Sequence, residues 1–104
     1  MTWYNICKFD ELQSDVLQRF ELPAQAIVVV KSDDKVSAFQ DRCSHQDIPL
    51  SDFGQIQDGE IICFAHGAKF CAADGKVLCA PATAPLKAFP CKVESGVVMV
   101  EVGP

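Results

Sequence analysis

The chain has few charges, only two histidines, one tryptophan and one tyrosine, and no long apolar run. Charged residues make up 22% against 49% hydrophobic, a globular balance. No apolar stretch approaches the roughly 18 residues a bilayer crossing needs, which excludes a membrane-spanning helix. The opening MTWYNICKFDEL lacks a basic region followed by an apolar one. No signal peptide is therefore read, and the expected setting is a reducing cytoplasm with unbridged thiols, despite six cysteines. Cations are short as well: 9 Lys and Arg stand against 14 Asp and Glu, a formal net charge of -5. That makes a nucleic acid or an acidic membrane surface a poor partner and a basic docking surface a good one. There is no helical stripe of ten residues, no internal repeat and no low-complexity segment. Phe9 to Leu17 has room for one helical turn at most. At 104 residues the chain is read as a single domain, 1–104, around one core.

What is present is short runs of β-branched and aromatic residues between turn signals. Strands are predicted at Trp3 to Cys7, Val16 to Leu22, Ala26 to Lys31, Val36 to Gln40, Glu60 to Cys63, Lys69 to Cys71, Lys76 to Leu78, Leu86 to Val93 and Val97 to Val102. The breaks include Pro23, Asp33-Asp34, Asp58-Gly59, Asp74-Gly75, Pro81 to Pro85 and Ser95-Gly96, several of them tight-hairpin types. Hairpins in series give antiparallel sheet, so the fold class is all-β. Two segments lack alternation, Asp41 to Phe53 and Phe64 to Ala68, and between them they hold both histidines of the chain. Loops of that kind are candidate sites.

Cys43-Ser44-His45 and Cys63-Phe64-Ala65-His66 form C-x-H, seventeen residues, then C-x-x-H. Each loop offers one sulfur and one imidazole nitrogen. Cysteines are often small core hydrophobes and histidines exposed loop polars, but a paired placement in two short loops points to a four-ligand metal site. Zinc sites usually take like ligands from each loop, C-x2-4-C and H-x3-5-H. Mixed pairs suit a two-iron, two-sulfide cluster instead, with Cys43 and Cys63 on one iron and His45 and His66 on the other; zinc stands as the alternative. Cys7, Cys71, Cys79 and Cys91 sit in or beside apolar strands and are expected in the core.

With the C-x-H and C-x-x-H-G spacing followed by Phe70 and Asp74-Gly75-Lys76, nearly the whole chain resembles the Rieske-type ferredoxins of bacterial multicomponent aromatic oxygenases. The segment GKVLCAPATAPLKAFPCKVE is similar to that of ring-hydroxylating dioxygenase ferredoxins. CSHQDIPLSDFGQIQDGEIICFAH instead looks somewhat like the ferredoxins that serve di-iron aromatic monooxygenases. The resemblance implies a Rieske fold, a β-sandwich or barrel-like base with an inserted cluster-binding subdomain at about 41–81. It also implies a monomeric electron carrier, not an enzyme, holding one 2Fe-2S cluster. Its electrons would come from a flavin-dependent NAD(P)H ferredoxin reductase and pass to a terminal oxygenase. A zinc-binding module, a redox-regulatory domain and a nitrite reductase small subunit are weaker alternatives. Respiratory Rieske proteins add a cysteine to each loop, and the matching positions here are Asp47 and Ala65; they also set a serine and a tyrosine hydroxyl against the sulfurs, where this chain has Ala68 and Phe70. Fewer hydrogen bonds to the sulfurs imply a potential at the low end of the Rieske range, around -150 mV.

Overall fold

In the computed structural model, which describes residues 2–23, 25–32, 35–43, 48–65, 67–79 and 84–102, the run AIVVVKS forms the centre of the molecule. Ile27 and Val29 are buried against one set of residues, and Val28 and Val30 against another. A strand buried on both faces reads as continuous apolar sequence, which is why this stretch shows no alternation. It is the third of eleven strands among the described residues: β1 Thr2–Lys8, β2 Gln18–Glu21, β3 Ala26–Ser32, β4 Lys35–Gln40, β5 Gly54–Gln57, β6 Glu60–Cys63, β7 Ala68–Cys71, β8 Val77–Cys79, β9 Ala88–Phe89, β10 Cys91–Glu94 and β11 Val97–Val102. A single helical turn, α1 Leu50–Phe53, precedes β5, and Phe9–Glu11 makes one turn of 3-10 helix.

The strands form three antiparallel sheets, ordered β1-β11-β10, β2-β3-β4-β9 and β5-β6-β7-β8. The second sheet is the middle layer. One core joins Ile27, Val29 and Ala38 of that sheet to Val98, Val100 and Val102 of β11. β11 alternates cleanly, its odd positions turned outward and its even ones inward, as a half-covered strand should. The other core joins Val28, Val30 and Phe39 to Ile61, Cys63, Ala68 and Phe70 of the third sheet, with Leu50 and Leu86. The third sheet is inserted in the chain between β4 and β9, neighbours in the middle sheet. Its first hairpin turns on Asp58 and Gly59 at φ 51 and 76, and the β10–β11 hairpin on Ser95 and Gly96 at 52 and 78. Positive φ at both central residues matches the strand twist across a two-residue turn.

Four expectations change in detail. The strand expected at Val16 to Leu22 is only Gln18–Glu21, because Asp15 turns the chain at φ 59 just before it. The strand expected over Leu86 to Val93 is two, because Pro90 carries no N–H to continue a ladder; β9 pairs with β4 and β10 with β11. Asp41 to Phe53 contains α1, and the next residues, GQIQ, form β5, whose single apolar residue left no pattern to read. Cys71 lies half-buried on the outward face of β7, outside the core. Asp33-Asp34 and Pro81 fall outside the described residues, as does the Cys79 side chain.

Candidate metal centre

The core between the middle and third sheets holds the expected sulfur ligands. Cys43 follows β4 and Cys63 ends β6; each is 1% exposed, and both belong to the same buried group as Leu50, Ala68 and Phe70. The backbone explains why each strand stops where it does. Cys43 N–H donates to the Ile48 carbonyl at 2.9 Å, closing the first loop on itself. Gly67 N–H donates to the Cys63 carbonyl at 2.8 Å and Cys63 pairs with Ala68, so the end of β6 and the start of β7 are held close together. Gly67 takes φ 81, a left-handed conformation that costs glycine little and other residues more.

The two loops are joined through the short helix. After the first loop the chain passes through Pro49, whose carbonyl accepts from Asp52 and Phe53 at 3.3 and 3.2 Å, and turns once as α1. Phe64 N–H, in the second loop, donates to the Phe53 carbonyl at the end of that turn, at 2.7 Å. A Cβ on Gly54 would come 2.7 Å from the Leu50 carbonyl and 2.8 Å from Leu17 Cδ1, so only glycine lets α1 lie this close to β5. Phe53 and Phe64 themselves turn outward, 45% and 55% exposed, beside Cys63.

His45 and His66 lie outside the described residues, as does Asp47. Among the described residues no three potential metal donors come together. What is described fits the sulfur half of an iron-sulfur centre: two unbridged, buried thiols at neighbouring loop stems, in an apolar wall where Ala68 and Phe70 are fully buried and offer no hydroxyl. Cys7 and Cys91 are of another kind. They pack partly buried against the core between the first and middle sheets, on either side of β11; burial raises both thiols, and Cys91 is pushed up to about 11. They stay protonated at neutral pH and are poor competitors for iron, since the thiolate is the ligand.

A surface cleft of about 320 Å³ lies at the start of β4, lined by Ser32, Lys35, Ser37, Gly59 and Ala72 among others. The Ser37 hydroxyl is committed to the Ala72 carbonyl at 2.8 Å. Among the described residues no acid, histidine or cysteine lines it.

The family model for the Rieske [2Fe-2S] domain matches residues 2–90. The chain belongs to the Rieske [2Fe-2S] family. It is 36% identical over 98% of its length to the ferredoxin component of biphenyl 2,3-dioxygenase from Rhodococcus jostii strain RHA1, covering 94% of that protein. It is 33% identical over 97% to the biphenyl dioxygenase ferredoxin subunit of Pseudomonas sp. strain KKS102, covering 93% of it. Among solved structures, the ferredoxin of carbazole 1,9a-dioxygenase from Nocardioides aromaticivorans IC177 superimposes with a TM-score of 0.87 at 25% identity, over 96% of this chain and 97% of that one. A chain in a complex of reduced oxygenase and oxidized ferredoxin in carbazole 1,9a-dioxygenase gives 0.85 at 29%, over 94% and 91%.

The all-β Rieske fold and its one 2Fe-2S cluster are those expected from the sequence. Sequence reading missed the residues that join the loops: Phe53 and Gly54 lie in or next to a stretch with no periodicity. Only the glycine after the aromatic Phe53 was a usable signal of close backbone approach.

Proposed function

We propose that this Rieske protein is the ferredoxin of a bacterial aromatic-ring-hydroxylating dioxygenase system, carrying single electrons from a flavin-dependent NAD(P)H reductase to the terminal oxygenase. The observation that carries the reading is the burial of Cys43 and Cys63 together at the stems of two adjoining loops, in a chain similar over almost its whole length to dioxygenase ferredoxins. In this reading Cys43 and Cys63 hold one iron of the cluster, and His45 and His66 hold the other. The bound group supplies reversible one-electron transfer at modest potential. The chain's residues do the rest. Leu50, Ala68 and Phe70 keep water from the sulfur side, while Phe53 and Phe64 give an apolar landing beside it. The subdomain bearing the cluster spans about 41–81, and the carrier works as a cytoplasmic monomer with transient partners. Among the described residues no helix is long and apolar enough to cross a membrane.

The test is to purify the protein anaerobically and measure visible and EPR spectra with iron and acid-labile sulfide. Two irons and two sulfides per chain, with both counts lost in Cys43→Ser or His66→Ala, are expected. A colourless protein holding one zinc ends the reading. The resemblance of the first loop to di-iron monooxygenase ferredoxins makes that system the second candidate, and NADH-driven transfer to each type of oxygenase component separates the two.

A further inference from the structure

The stem of the first ligand loop is held by a carboxylate fully withdrawn from solvent. The Asp41 side chain is 0% exposed. Its Oδ1 accepts the Ser51 backbone N–H at 2.8 Å, and its Oδ2 accepts the Ser51 hydroxyl at 2.6 Å and an Arg19 guanidinium N–H at 2.7 Å. Burying a carboxylate is costly unless it is paired and hydrogen-bonded, and this one is both. Its position is specific. Asp41 stands two residues before Cys43, at most about 7 Å of chain, and Ser51 lies in α1, on the far side of the loop. One carboxylate therefore grips both ends of the segment 42–50. The Asp41 backbone N–H, donating to the Ala26 carbonyl at 3.1 Å, anchors the grip to the middle sheet. Arg19, 41% exposed, reaches in from β2 and also pairs with Glu21 at 3.1 Å.

We propose that Asp41 is a positioning residue for the cluster. It holds the first loop in its ligand-bearing shape through Ser51, and with Arg19 as counter-charge it sets the local field felt by the added electron. The inference rests on Cys43 being a ligand. A fixed negative charge in the low-dielectric interior disfavours reduction, and the guanidinium offsets part of it. Removing one or the other therefore moves the potential in opposite directions, which a loss of packing alone does not do.

The experiment uses the holoprotein and three variants, Asp41→Asn, Arg19→Gln and Ser51→Ala, in potentiometric titrations and in timed iron release to a chelator. Asp41→Asn is expected to raise the affinity for the electron three- to tenfold, up to about 59 mV for a one-electron couple. Arg19→Gln is expected to lower it. Asp41→Asn and Ser51→Ala both release iron at least threefold faster than wild type. Shifts of the same sign in Asp41→Asn and Arg19→Gln, or no shift in either, overturn the proposal. If Asp41→Asn does not fold, the half-exposed Arg19→Gln decides: a lowered potential supports the field, an unchanged one removes it. The cluster content of Cys43→Ser separates this inference from the ligand assignment. A Cys43→Ser protein with a full cluster refutes the assignment. Loss of cluster there, with the potentials of the other variants unmoved, refutes only the role of Asp41.

Discussion

Ala68 stands opposite Cys63 in the β6–β7 ladder and is fully buried, so a hydroxyl placed there would lie beside the sulfur ligands. A hydrogen bond to a charged acceptor is worth about 1.5–3 kcal/mol, and the share that strengthens on reduction raises the potential. Ala68→Ser should therefore raise the midpoint by roughly 30–60 mV, a three- to tenfold gain in electron affinity. A potentiometric titration checks it, and a fall or no change places the Ala68 side chain away from the cluster. Cys91 gives a second prediction, in pH. Burial first and Cys7 second hold its thiol at about 11, against an ordinary value of 9.0. Between those values the unfolded chain loses the proton and the folded one keeps it, so the stabilisation is complete below pH 9 and drains away as pH climbs to about 11. The stability advantage of wild type over Cys91→Ala in denaturant titrations should shrink across that window. A constant difference from pH 8 to 11 would contradict it.

At the scale of elements, the third sheet depends on how closely α1 packs on β5. Gly54→Ala puts a methyl 2.7 Å from a carbonyl and 2.8 Å from Leu17 Cδ1, and the backbone contact cannot relax as a side chain could. Overpacking of this kind costs about 1–3 kcal/mol. The expected outcome is a lowered denaturation midpoint with faster cluster loss, since α1 joins the two loops; a variant as stable and as well loaded as wild type would show that α1 can shift freely. The same stretch marks the limit of what sequence shows. β3, β6, β7 and β11 were legible because their apolar residues are continuous or alternate according to how many faces are covered. α1 and β5 were not, because LSDFGQIQ offers one buried residue, Leu50, and is set by tertiary contacts. At the centre, the cysteine positions were legible as spacing. The carboxylate beneath them was not, because an Asp at a strand end reads as a turn until the three donors around it are seen.

For the whole molecule, the excess of acids and the placement of the cysteines together dictate how a partner approaches. A net charge of -5 steers a basic surface toward the chain over distances up to the Debye length, about 8 Å at physiological salt. Steering does not select the end at which the electron leaves. In the proposed electron-transfer role Phe53 and Phe64 would select it: they are large, exposed and joined by a backbone hydrogen bond beside Cys63, so that a partner burying them would come against the proposed sulfur ligands. An aromatic anchor at the centre of a small interface contributes about 2 kcal/mol or more. Phe64→Ala should then weaken binding to the oxygenase component about tenfold or more, and Phe64→Asp further still, with the midpoint potential unchanged because the ring does not face the buried sulfurs. Stopped-flow transfer from reduced protein, run at several oxygenase and salt concentrations, reads both terms. The apolar contribution appears as a higher half-saturating concentration independent of salt, and the charge contribution as an association rate that falls with salt. If Phe64→Ala delivers electrons like wild type at every concentration, the partner approaches without touching this edge, and the exposed pair has no part in docking.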